Sequence, residues 1–502
     1  MEAKIKENQN PKISSDLESH FEEFRRNTVG YNTTFEGPYG KKQIIYADWI
    51  ASGRMYRPIE ERMSSVIAEH VANTHTETSY TGMLMTHAYN EARQLIKKHI
   101  NAGPNDVMIP TGTGMTGAVL KLQRMLGLKV PEQYADAVRK KPADRPVVFI
   151  SHMEHHSNHT SWLETLADVE VIAPDAEGKV DLEDFDRLLQ QYSRRPLKIA
   201  SVTSCSNVTG AFTPYREIAK RIHQEGGYCF ADFAASGPYV DIDMHPPEEG
   251  AHLDALFFSP HKFLGGPGSP GILCFNKNLY HNKIPDQPGG GTVTYTNPWG
   301  IHQYIEDIET REDGGTPGFL QTIRAAMTVK LKEKMDVSKM QQREEQLVHY
   351  FFERMTQMPG VHILAGNIRK RIGAISFYMD GAHYNLVSRL LNDRYGVQVR
   401  GGCSCAGTYG HYLLSVDPSL SESIRKKINE GDLSAKPGWV RLSVHPMMTN
   451  QEAVFIADAL KEIAHHHQKF AEDYQYHPQE NEFYHRDFDN TDKERINNWF
   501  EL

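Results

Sequence analysis

Short apolar runs without alternation recur along the chain, at Val147-Val148-Phe149-Ile150, Leu197 to Val202, Tyr228 to Ala231, Ala255 to Phe258 and Gly271 to Phe275. Runs of this length with no polar face predict strands buried on both sides, as in a parallel sheet covered by helices. Between them the period becomes helical. Asp181 stands as an N-cap before Leu182, Phe185, Leu188, Leu189 and Tyr192, which recur at helical spacing. Thr213-Pro214 predicts an N-cap and first helical position for a helix through Ile218 and Ile222. From about Asn101 to Phe275 the pattern therefore predicts an α/β domain around a largely parallel sheet. Pro285 to Phe319, with Gly289-Gly290-Gly291 and Gly314-Gly315-Thr316-Pro317, reads as loops. Leu320 to His349 then predicts one long connecting helix, and the segment from about Phe351 to Phe470 a smaller α+β domain.

A chain of 502 residues exceeds one compact core. The expected organisation is an N-terminal arm or part of a small domain (1–45), a large domain (46–320), a linker helix with a C-terminal small domain (321–470), and an acidic, aromatic tail or packing arm (471–502). A formal charge of -9 argues against a dedicated nucleic-acid binder, which should carry a basic field. No apolar run approaches the roughly 18 to 20 residues of a membrane span, and Met1 to Thr28 holds no apolar signal region. Cys205, Cys229, Cys274, Cys403 and Cys405 are too few and scattered for a disulfide framework, so a reducing cytoplasm fits best.

The segment Phe257-Phe258-Ser259-Pro260-His261-Lys262-Phe263-Leu264-Gly265-Gly266 places a lysine just beyond a buried strand. Ligands of open parallel sheets bind beyond the carboxyl ends of strands, and a lysine desolvated there becomes a usable amine for Schiff-base chemistry. On its own the segment reads equally well as a surface lysine on a glycine loop. Other strand ends change that balance. Asp232 follows one run and suits the pyridine nitrogen of pyridoxal phosphate, an electron-sink cofactor. Asn207 follows another, in position to donate to the cofactor's phenolic oxygen; His152-Met153-Glu154-His155-His156 follows a third and could set an imidazole over the ring. Thr111-Gly112-Thr113-Gly114-Met115-Thr116-Gly117 opens a helical run and forms a ready phosphate cradle. It lacks the glycine spacing of a dinucleotide fold and the Gly-Lys-Ser/Thr ending of a P-loop.

Taken together, Lys262 in Ser-x-His-Lys, Asp232, Asn207-Val-Thr-Gly, Glu154-His155-His156-Ser157-Asn158 and Gly114-x-Thr116 resemble, in this order, the class V aminotransferase family. Its cysteine desulfurase and selenocysteine lyase branch is the nearest in look, over about Tyr46 to Met447. The resemblance implies a fold-type I enzyme with a large domain around a mainly parallel seven-stranded sheet, a smaller α+β domain, and a homodimer. It implies that Lys262 holds the cofactor aldehyde, Asp232 the pyridinium and Asn207 the phenolic oxygen, with His155 stacked on the ring. Gly114, Met115 (through its backbone), Thr116, Ser259 and His261 would hold the phosphate, and Thr316 would reach the neighbouring subunit's phosphate. One position departs from the family's pattern: Ala235 stands where a glutamine donor is usual.

Further on, Val399-Arg400-Gly401-Gly402-Cys403-Ser404-Cys405 resembles the family's active-site loop, with Cys405 at the nucleophile's position. A free thiol ionises near about 8.5 and needs a cation or N–H groups to enrich its thiolate; Arg400 is the candidate cation. Cys403-Ser404-Cys405 is unusual for the branch, too tight for an easy disulfide and too small for a structural zinc site alone. Arg441 resembles the family's α-carboxylate anchor, a bidentate guanidinium, and Ala51 lies in a loop that would face substrate. His152, His155, His156 and His159 would share a face if helical, which suggests a metal site only weakly, since the cofactor reading already uses His155. The expected function is cysteine desulfuration of a small amino acid, with a persulfide on Cys405, alanine as product and a sulfur-acceptor protein as partner. Two alternatives stand beside it: another class V reaction, such as transamination or β-elimination, and a non-catalytic thiol carrier or metal-binding scaffold.

Overall fold

The computed structural model describes residues 13–489 and 492–501. The first twelve residues of the expected N-terminal arm, and residues 490, 491 and 502 of the expected tail, lie outside the described residues.

Seven strands make the main sheet: β1 (Asp106–Thr111), β2 (Val147–Ser151), β3 (Asp168–Ile172), β4 (Lys198–Thr203), β5 (Tyr228–Asp232), β6 (Ala255–Phe258) and β7 (Gly271–Asn276). Their spatial order is β1-β7-β6-β5-β4-β2-β3. Only β7 is antiparallel to its neighbours; β3, β2, β4, β5 and β6 pair in parallel. Each apolar run serves two cores at once. Val147 and Phe149 of β2 pack in one cluster with Phe185, Leu188 and Leu189 of α4 (Leu182–Gln191). Val148 and Ile150 pack on the other face, with Leu122 of α2 (Gly114–Met125) and Trp162 of α3 (His156–Leu163). With about 1.5–3 kcal/mol for each large side chain withdrawn from water, this double burial explains why the runs lack alternation. On the α4 side lies α1 (Tyr80–His99), whose Ala92 and Ile96 join the first cluster.

Two helical expectations need correction. The helix after Thr213-Pro214 is α5 (Tyr215–Gln224), with Pro214 at the N-cap position. The Thr213 hydroxyl is drawn away from capping because it donates to the Thr203 carbonyl at the end of β4. The expected single helix from Leu320 to His349 is two, α6 (Phe319–Met335) and α7 (Val337–Met355). Asp336 between them adopts φ 65°, outside the helical region, and its carboxylate accepts the Lys339 N–H, so one residue ends a helix and caps the next.

A second, antiparallel sheet has the order β8-β9-β11-β10, from β8 (Val361–Ile363), β9 (Ala374–Met379), β10 (Arg400–Gly402) and β11 (Trp439–Ser443). Its core gathers Phe377, Val440 and Leu442 with Leu347 and Phe351 of α7, Leu390 of α8 (Tyr384–Tyr395) and Ile456 and Leu460 of α9 (Asn450–Ala471). Thr449 and Glu452 form a capping box at the start of α9. The early segment Ile45–Tyr46 joins this unit by pairing in parallel with Val397–Gln398. Tyr474–His477 and Glu482–His485 form a hairpin docked on α8, where the Tyr474 hydroxyl donates to Asp393 and the Asn481 amide to the Tyr384 hydroxyl.

Candidate functional site

The carboxyl ends of β1, β2, β4, β5 and β6 open on one side of the main sheet, and a cavity of about 210 Å³ lies there. Asp232 is the last residue of β5 and Lys262 closes a single turn, Pro260–Lys262, after β6. Among the described residues the Lys262 amine has no hydrogen-bond partner. Burial lowers its pKa to about 8 against the opposing pull of Asp232. Burial raises the Asp232 carboxyl to about 6, opposed by the Ala234 N–H that donates to Oδ1 at 2.7 Å and by Lys262. The two groups line one wall of the cavity and are each partly discharged near neutrality.

Against the Ser259–Lys262 segment, α2 begins at Gly114, where φ is +62°. A Cβ there would sit 3.0 Å from the Ser259 hydroxyl and 3.5 Å from His261 Nε2, so the glycine keeps a pocket open between them. The Met115 N–H donates to Ser259 Oγ at 2.8 Å, and the Thr116 and Ser157 hydroxyls meet at 2.7 Å. These donors, at the start of a twelve-residue helix, form an anion cradle. His155 caps α3, its Nδ1 accepting the Ser157 N–H, and burial followed by Lys262 pushes its pKa down to about 3, which keeps the ring neutral. The same causes hold His261 at about 4.

The far wall comes from the second sheet. Arg441 of β11 is buried; Nη1 donates to the Asn207 carbonyl at 3.0 Å and Nη2 to Asp48 Oδ1 at 2.8 Å, while Nε lacks a partner. Asp48 Oδ2 accepts Arg400 Nε at 3.0 Å, so one carboxylate joins both arginines. Ile50, Ala51, Ser404 and Cys405 complete this wall. Cys405 is exposed, whereas Cys403 turns away to pack beside Met153, Val208, Tyr409 and Trp439.

A family model described as Aminotransferase class-V matches residues 45–454. The chain belongs to that family. Among curated proteins it is similar to the probable cysteine desulfurase of Pyrococcus abyssi, 26% identical over 427 residues, covering 84% of this chain and 94% of the relative. It is similar also to the probable cysteine desulfurase of Halalkalibacterium halodurans, 26% identical over 371 residues, covering 72% and 84%. Among solved structures, the cysteine desulfurase from Thermococcus onnurineus NA1 superposes with a TM-score of 0.69 at 23% identity, over 88% of this chain and 98% of that one. The cysteine desulfurase CsdA from Escherichia coli does so at 0.67 and 19%, over 88% and 97%. The fold is thus fold-type I, and class V enzymes are dependent on pyridoxal phosphate.

The residues present fit that class V cofactor. A partnerless amine, a buried carboxylate and an anion cradle line one cavity, and the buried Asn207 Oδ1 lacks a partner. Gly114, Met115, Thr116, His155, Asn207, Asp232, Ser259, His261, Lys262, Arg400, Cys405, Ala51 and Arg441 all line it. Thr316 does not: it is exposed on its loop, with its hydroxyl 3.5 Å from Asn73 Oδ1. Ala235 is in the cavity wall and presents only a methyl. Asn207 Nδ2 donates to the Ser404 carbonyl at 2.7 Å, which engages one of its two N–H bonds with the cysteine loop. The four sequence histidines take separate partners: His152 the Gly178 carbonyl, His155 the Ser157 N–H, His156 the Gly407 N–H and His159 the Thr408 hydroxyl. Among the described residues, the ligand atoms that come together are those of His223, His252 and Asp254, at the amino ends of the strands. There the two rings stack at 4.1 Å and 10°, so their lone pairs run parallel instead of converging on one ion.

Asp48 was missed as a site residue. Its signal was present: a carboxylate directly after the apolar run Ile44-Ile45-Tyr46-Ala47, the same strand-end placement as Asp232. Glu154 was quoted only as part of a motif. It is buried, raised to about 7 by burial, and accepts from Asn158 Nδ2 and the Thr203 N–H, tying the end of β2 to that of β4.

Proposed function

We propose that this chain is a pyridoxal-phosphate-dependent cysteine desulfurase-like enzyme, taking sulfur from a small thiol amino acid onto Cys405 and releasing alanine. The observation that carries this reading is that Lys262, Asp232, Arg441 and Cys405 all face one cavity. Lys262 would hold the cofactor, Asp232 its ring nitrogen, and Gly114, Met115, Thr116, Ser259 and His261 its phosphate. Bound there, pyridoxal phosphate would supply an electron sink that weakens the substrate's C–S bond. Arg441 and Arg400 orient the substrate carboxylate, with Asp48 aligning both guanidiniums. Lys262, with a pKa near about 8, moves protons at the substrate's α-carbon. The Cys405 thiolate attacks the substrate sulfur; an S–S bond forms, the C–S bond breaks, and its electron pair stays on carbon, which is protonated and leaves as alanine. The sulfur then passes to an acceptor protein. The working unit is a homodimer in a reducing cytoplasm, with Thr316 serving the neighbouring copy's cradle.

The test is purified, cofactor-loaded protein given L-cysteine, with sulfide and alanine measured. Alanine formation that Cys405→Ala leaves undiminished would overturn the mechanism. Ala235 favours a second reading, a class V aminotransferase or β-eliminating lyase, because it offers no donor to the cofactor. In that case Cys405→Ala retains full turnover, with a keto acid or pyruvate as product. A non-catalytic scaffold would show no absorbance near ~420 nm that depends on Lys262.

A further inference from the structure

Ser404 and Cys405 are consecutive non-glycine residues in the left-handed region, with φ +51° and +56°. Such a pair is strained and persists only where its surroundings hold it. Cys405 is exposed, so side-chain packing does not fix the thiol's direction; the backbone must. The Ala406 N–H donates to the Cys403 carbonyl at 3.0 Å and closes the turn locally, and three further hydrogen bonds tie it to residues following strands of the main sheet. Asn207 Nδ2 donates to the Ser404 carbonyl at 2.7 Å. The His156 N–H donates to the Cys405 carbonyl at 2.8 Å. The Gly407 N–H donates to His156 Nε2 at 2.9 Å.

We infer that His156 is a positioning residue for the Cys405 thiol, gripping the turn on both sides of it. One side chain and its own amide engage positions 405 and 407, so the strained turn is referenced to the same strand end that carries His155. The ring must accept at Nε2, which requires a neutral imidazole with its proton on Nδ1. The contact is close: a Cβ on Gly407 would fall 3.3 Å from Nε2, so glycine lets the amide reach the ring. The role rests on the desulfurase reading for what the thiol does, but the grip itself is a property of the resting protein.

The test compares His156→Phe, which keeps a ring and removes the acceptor, with His156→Gln, whose amide oxygen reaches about as far as Nε2. Cofactor-loaded full-length protein is followed by hydrogen exchange at the Gly407 amide and by alanine formation from L-cysteine. His156→Phe should speed that exchange about tenfold and lower kcat about tenfold, with KM within about twofold, as loss of one part-buried hydrogen bond implies. His156→Gln should restore both. Unchanged exchange in His156→Phe, or a Gln variant as impaired as the Phe variant, would overturn the assignment. Should His156→Phe fail to hold cofactor, His156→Ala judges the same exchange against His156→Gln. If wild-type protein makes no alanine, the desulfurase reading falls while the exchange measurement still decides the grip.

Discussion

The cavity has two walls built on opposite principles. The Lys262 wall is made from ends of strands whose residues, all but the half-buried Tyr228, are buried, so Asp232 and Lys262 sit where the main chain of a rigid sheet leaves them. The Cys405 wall is a short turn after β10, strained at two positions, closed by one local hydrogen bond and tied by three more to residues that follow β2 and β4. The first wall is fixed by hydrophobic burial and tolerates little change. The second is fixed by a few directional contacts, which leaves an exposed thiol able to meet a partner outside. In the proposed function, a group that would hold a cofactor and one that would hand on an atom call for these different supports.

Substitutions should separate the walls. Lys262→Ala should abolish both the absorbance near ~420 nm and turnover, by about 10³-fold or more, measured by absorbance and alanine release. Cys405→Ala should lower sulfur transfer at least about 10²-fold while the absorbance stays, since the cofactor wall is untouched. Phe257→Ala, at a fully buried position beneath the first wall, should cost about 3–5 kcal/mol in denaturant unfolding. Cofactor uptake by the apoprotein needs a neutral Lys262 amine. With the pKa lowered to about 8, the uptake rate should rise about fivefold from pH 7 to 8 and by no more than about twofold above it. A rise continuing to pH 10 would mean the amine is not desolvated. Smallest of all, Ser404→Gly should relieve strain and stabilise by about 0.5–1 kcal/mol, visible as a small gain in Tm.

The first wall was the more legible in the sequence for the same reason that it is rigid. Central strands buried on two faces leave unbroken apolar runs, and all five such runs became strands. The two strands without such a run, β1 and β3, are the sheet's edges. There Pro110 is tolerated, because an edge strand has amides outside the ladder, and Asp168-Val-Glu-Val alternates in a strand that is mostly half-buried. The second wall was read through the family motif around Cys405, since its supports come from far along the chain. Nothing local to Asp48 announces Arg400 and Arg441, and nothing local to Ser404 announces Asn207. The break at Asp336 escaped for a subtler reason. Its flanking positions keep helical periodicity, and an aspartate inside that pattern reads as an ordinary exposed residue.

The link between Asp48 and the two arginines also sets a timetable. Asp48 is separated from Arg400 by 352 positions and from Arg441 by 393. At a synthesis rate of roughly 5–20 residues per second, the segment around Asp48 spends about 20–80 s on the ribosome before its partners emerge. Lys262 and Asp232 come out well within that interval, with most of their sheet already made. The nascent chain therefore carries an unpaired strand, Ile45–Tyr46, through most of its birth, and this is where a holding chaperone would have the most to protect.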